Sequence, residues 1–116
     1  MHDKRRFPRK PRVESLSLTV VNATHLIEQG ERFYAETVDM SPAGLQVVLD
    51  RFLEKDSRIE IWLVLLSTRR TLHLQGRISW LEVREEDGQD RYHAGVQLLP
   101  AKDSDFDTWL ALFDQD

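Results

Sequence analysis

The sequence contains no cysteine. That excludes a disulfide framework and any thiolate-ligated metal site, and it suits a reducing cytosol. No apolar run approaches the length of a membrane span, and the longest, residues 61–66, is the size of a strand. The basic N-terminus is not followed by the apolar stretch of a secretory signal, so a cytoplasmic location without membrane insertion is expected. The four histidines, His2, His25, His73 and His93, are scattered without metal-ligand spacing. Asp103, Asp105 and Asp107 imitate the opening of a calcium loop. However, Thr108 stands where the loop needs glycine and Asp114 where it needs glutamate, so no metal is expected. There is no Ser/His/Asp arrangement, no pair of catalytic carboxylates and no phosphate-cradling glycine loop, and an enzyme is not expected. Internal repeats and low-complexity segments are also missing.

What is present is one domain's worth of chain. Its 116 residues suffice for a single core. The net charge of −4 is unevenly spread: residues 1–12 hold Lys4, Arg5, Arg6, Arg9, Lys10 and Arg12 against Asp3, a net of +5, leaving −9 on the rest. A basic arm on an acidic body suggests an anionic ligand held by the arm. The acidic body would repel long polyanions, so neither DNA nor RNA is expected as a partner.

Two short clusters carry chemistry. The first, Arg5-Arg6-Phe7-Pro8-Arg9, contains Arg-x-x-x-Arg, and the second, Asp39-Met40-Ser41-Pro42-Ala43-Gly44, reads Asp-x-Ser-x-x-Gly. Guanidinium groups on an arm can fork onto phosphate oxygens or onto the O6/N7 edge of guanine. A carboxylate and a hydroxyl on a turn can accept from the N1 and N2 hydrogens of that base. A glycine beside them permits close approach to the backbone. Taken singly, the second cluster reads first as a capped turn, with Asp39 and Ser41 bonding nearby amides and Gly44 supplying positive φ. Together the two clusters describe a pocket for a phosphorylated guanine nucleotide.

The remainder reads as short strands. Pro8 and Pro11 leave the arm extended. From Ser15, Leu16, Leu18 and Val20 alternate with Ser17 and Thr19 as a half-buried strand. Residues 22–30 form a connection turning at Gln29-Gly30, and residues 33–38 a second strand ending in a turn over residues 39–44. Leu45, Val47 and Leu49 mark a third strand, followed by a polar connection around Leu53. In residues 57–66, Ile59, Ile61, Leu63 and Leu65 share one face, while Trp62, Val64 and Leu66 make the other apolar too, as if both were covered. In residues 71–83, Leu72, Leu74, Ile78 and Trp80 are in phase, which assigns Trp80 to the core by default. His73 falls on the opposite, solvent side. Gly76, in the same phase as the leucines, suggests a bulge or a sharp bend. Residues 84–90 form a charged hairpin loop containing Asp87-Gly88, and residues 92–99 the last strand before Pro100. Phe106, Trp109, Leu110 and Phe113 then form one helical stripe, with Ser104 and Asp107 spaced as a capping box. Six or so strands at short spacing with one closing helix predict an all-β fold, a small antiparallel barrel with a C-terminal α-helix over about residues 103–115. The division expected is an arm at 1–14 and a barrel with its helix at 15–116.

The two clusters in this order, the Leu74-Gln75-Gly76-Arg77-Ile78-Ser79-Trp80 strand and the Ala94-Gly95-Val96-Gln97-Leu98 strand give the chain a resemblance to PilZ domains over nearly its whole length. The resemblance implies the six-stranded β-barrel, no catalysis, and binding of cyclic di-GMP. It carries Arg5 and Arg9 onto the family's motif arginines, Asp39 and Ser41 onto guanine, and Gly44 onto a close contact. Lys4 stands at the variable position before the arginines, where it bears on whether one ligand or a stacked pair is held. Arg6 is a further candidate contact, and Trp80, if exposed, would stack on guanine. No cofactor beyond the ligand is implied. The expected role is a receptor and adaptor, a monomer or ligand-dependent dimer, acting on an unidentified effector protein. The alternative is a protein-interaction adaptor of the same fold that ignores the nucleotide.

Overall fold

The computed structural model describes residues 13–22, 32–66 and 68–113. The arm with Lys4, Arg5, Arg6 and Arg9, and the expected Gln29-Gly30 turn, lie outside the described residues. Six strands, β1 (Val13–Asn22), β2 (Arg32–Ser41), β3 (Gly44–Leu49), β4 (Arg58–Leu65), β5 (Thr71–Glu86) and β6 (Gln89–Leu99), precede one helix, α1 (Phe106–Ala111). The strands close into an antiparallel barrel in the order β1-β2-β3-β6-β5-β4. β1 starts at Val13, inside the segment assigned to the arm.

Closure follows from the alternation. Leu16 and Leu18, Leu45 and Val47, Ile59, Ile61 and Leu63, Leu72, Leu74 and Ile78, and Ala94 and Val96 all turn inward and are buried. Fully burying such a side chain contributes roughly 1.5–3 kcal/mol. Gly76 is not a bulge, since β5 keeps its register with β4 and β6 through it. A Cβ there would lie 2.7 Å from Val96 Cγ1, so the glycine makes room in the core. The outer face of β4 is only partly covered: Trp62 and Val64 are half-buried and Leu66 is exposed. His73 is not simply solvated. Its ring stacks on Trp62 at 5.0 Å, and Arg32 lies over the same indole at 5.1 Å.

The helix is shorter than expected. The expected capping box does not form, because the Ser104 hydroxyl donates to the Ala101 carbonyl and the N-cap position falls on Asp105. Asp105 instead bonds β5 reciprocally: His73 N–H donates to its carboxylate at 2.8 Å, and its own N–H donates to the His73 carbonyl at 2.7 Å. Trp109 is wholly buried and meets Phe113 edge-on at 5.0 Å, whereas Leu110, at the margin of the stripe, is exposed. Among the described residues no helix is long and apolar enough to cross a membrane.

Candidate functional site

Two β-bulges create the site. In β2, Thr37 pairs with Val47 and Asp39 with Gln46, so Val38 is an extra residue. Thr37 follows the inward phase, and without the extra residue Asp39 and Ser41 would also point into the core. The bulge turns both outward and sends Met40 against the core instead. In β5, Ile78 pairs with Val96 and Trp80 with Gly95, so Ser79 is the extra residue. That bulge takes Trp80 out of the core phase. Its default assignment to the core is therefore wrong: the indole is 39% exposed on the outer surface.

The bulges lie at the two ends of one cross-strand row. Asp39, Gln46, Gly95 and Trp80 are successive partners across β2, β3, β6 and β5. The next row on the same outer face, beyond the inward-facing row of Met40, Leu45, Val96 and Ile78, holds Ser41, Gly44, Gln97 and Arg77. Between these rows opens a cleft of about 420 Å³, lined by Asp39, Ser41, Gly44, Gln46, Trp80 and Gln97 among others. The structure thus brings together Asp39, Ser41, Gly44 and Trp80. The four expected arm residues lie outside the described residues. The first described residue, Val13, opens β1, which pairs with β2 from Leu16 opposite Ala35 onward.

The turn is tighter than expected. Strand pairing continues through Ser41 and Gly44, leaving only Pro42 and Ala43 between them. Asp39 Oδ1 accepts from the Met40 N–H at 2.9 Å, in line with the capped-turn view of that residue. Gly44 does not serve by positive φ, because Gly88 alone among the described glycines has that conformation. A Cβ on Gly44 would lie 2.3 Å from the Val96 carbonyl oxygen, so glycine is needed there for close approach of β6. The turn is held from behind as well: Leu98 N–H donates to the Ala43 carbonyl at 2.9 Å, and the Trp109 indole N–H donates to the Pro42 carbonyl at 3.2 Å.

Three contributors were not singled out from the sequence. Gly95 seats the indole: a Cβ there would lie 2.0 Å from Trp80 Nε1 and 2.5 Å from Cε2. The Ser79 hydroxyl donates to the Gly95 carbonyl at 3.1 Å and pins the bulge against the seat. Gln97 is oriented by Arg77, whose guanidinium donates to the Gln97 side-chain amide oxygen Oε1 on one side and to the Asp56 carboxylate at 2.6 Å on the other. Chemically, the cleft offers a carboxylate, a hydroxyl and two primary amides beside an open aromatic face. Such a set suits a planar heterocycle with several donors and acceptors. Among the described residues no group of His, Asp or Glu is arranged to hold a metal.

The chain matches the PilZ domain family over residues 3–114. Among solved structures, MrkH of K. pneumonia resembles it with a TM-score of 0.59 at 14% identity, a likeness of fold. The alignment covers 98% of this chain and 48% of MrkH, so the chain spans about half that protein's length. No curated protein matches.

Proposed function

Because the chain belongs to the PilZ domain family, whose members are cyclic di-GMP receptor and adaptor modules rather than enzymes, we propose that its outer cleft receives cyclic di-GMP. Asp39 and Ser41 accept from the N1 and N2 hydrogens of one guanine, and the Trp80 face stacks on a base. Arg5 and Arg9, with Lys4 and Arg6 beside them, supply charge-assisted bonds to the phosphates and to guanine O6/N7, each worth about 1.5–3 kcal/mol. Ordering the arm over the ligand offsets part of that gain. The output is a changed surface, with the arm relocated and its positive charge masked, read by an effector protein.

The observation that carries this reading is the meeting of Asp39, Ser41, Gly44 and Trp80 in one cleft on the outer face of the barrel. NMR titration with cyclic di-GMP tests it. Shifts should concentrate at the Asp39, Ser41, Gly44 and Gln97 amides and at the Trp80 indole N–H. Shifts elsewhere on the barrel, or none, would leave the nucleotide-independent adaptor as the better description.

A further inference from the structure

β3 ends at Leu49, opposite Tyr92, whereas β5 and β6 continue pairing to Glu86 and Gln89. The remainder is a two-stranded ribbon projecting past β3, closed by Asp87 (φ 53°) and Gly88 (φ 79°). Two consecutive left-handed residues suit a tight primed hairpin turn. With no register shift beyond Trp80, residues alternate strictly between the ribbon's faces. One face carries the Val83/Tyr92 pair and then the Glu85/Asp90 pair.

Both pairs are unusual for a ribbon in water. Val83 is 50% exposed, and Phe52, 40% exposed, packs edge-on against Tyr92 at 6.4 Å, so three large apolar side chains form one open patch. Glu85 and Asp90 are like charges directly opposite one another, an arrangement that destabilises a hairpin. Neither has an ion-pair partner among the described residues. A ribbon evolved only for stability would place a lysine at one of these positions. An apolar patch bounded by uncompensated carboxylates is complementary to an apolar anchor flanked by cations. The same carboxylates repel nucleic acid and anionic lipid.

We propose that this ribbon face is a docking surface for a basic segment of a partner protein. A large apolar side chain of that segment seats on Val83, Tyr92 and Phe52, while flanking lysines or arginines meet Glu85 and Asp90. The proposal stands independently of nucleotide binding. The test uses the full chain and a short probe peptide in which leucine alternates with lysine, followed by NMR. Saturable shifts at Phe52, Val83, Glu85, Asp90 and Tyr92 are expected. A glutamate-for-lysine peptide and a serine-for-leucine peptide should bind about tenfold more weakly or worse.

Glu85→Lys should weaken the probe by about tenfold or more while leaving the melting temperature equal or higher, because the introduced ammonium would pair with Asp90 across the ribbon. Asp103→Lys, a reversal at an exposed carboxylate outside the ribbon, should change little. Shifts spread evenly over acidic surfaces, or unimpaired binding by Glu85→Lys, would overturn the proposal. Concentration-dependent self-association without peptide, abolished by Glu85→Lys, would assign the face to a second copy of this chain and overturn the choice of partner.

Discussion

Gly95→Ala is the most informative single change in the cleft. Gly95 lies on β6 under the Trp80 indole, and an added methyl would sit 2.0, 2.5 and 2.6 Å from Nε1, Cε2 and Cδ1 of that ring. Each distance is well inside van der Waals contact, so the ring must leave its seat. Ser79 cannot absorb the shift without surrendering its bond to the Gly95 carbonyl. Folding should survive, because overpacking costs typically ~1–3 kcal/mol and replacing a strand glycine recovers roughly 0.5–1 kcal/mol of it. Base stacking on an aromatic side chain is worth about 1–3 kcal/mol, so cyclic di-GMP affinity should fall ~5- to ~150-fold. Calorimetry reads the affinity, and the Trp80 indole N–H resonance reports the seat even without ligand. The three atoms nearest the added methyl all belong to Trp80. In a Trp80→Ala background, Gly95→Ala should therefore add little further loss. Wild-type affinity in Gly95→Ala with an unmoved indole resonance would refute the seat. Additive losses in the double variant would refute the coupling.

Two further predictions concern the support behind the cleft. Trp109→Phe keeps an aromatic ring in the core but removes the donor to the Pro42 carbonyl, and should cost about 1 kcal/mol in urea unfolding. It should also speed amide exchange in the turn between Ser41 and Gly44, and unchanged exchange there would show that the indole does not brace the turn. Asp105→Ala strips the acceptor from the His73 N–H and should cost ~1–3 kcal/mol, with Asp105→Asn recovering part of it. Equal stabilities for the two variants would argue that the carboxylate bond is unimportant.

The strands were legible because alternation is a direct consequence of one face being buried, and Ile59 to Leu65 obey it strictly, while in β1 and β3 the outer-phase Ser17 and Val48 are buried as well. The hairpin at Asp87-Gly88 was legible only as a loop over residues 84–90; pairing in fact runs on to Glu86 and Gln89, leaving just the two residues with positive φ as the turn. The site was legible as residue types but not as geometry. A bulge reverses the phase of every residue after it, and nothing in the composition around Val38 or Ser79 announces the extra residue. Hence Trp80 read as core, and a bulge or sharp bend was looked for at Gly76 when the bulge lies at Ser79. The roles of Gly44 and Gly95 depend on what another strand brings against them, the Val96 carbonyl in one case and an indole in the other. The capping box failed for a similar reason: Asp105 found a better use on β5 than local spacing could reveal.

The central claim is that the arm and the cleft together form one nucleotide site. Its most direct test is calorimetric titration of cyclic di-GMP into the wild-type chain and Arg9→Ala, with GTP as the control ligand. The account predicts selective binding near micromolar, roughly −8 kcal/mol, that is lost in Arg9→Ala and not reproduced by GTP. No binding by the wild type, or undiminished binding by Arg9→Ala, would contradict it.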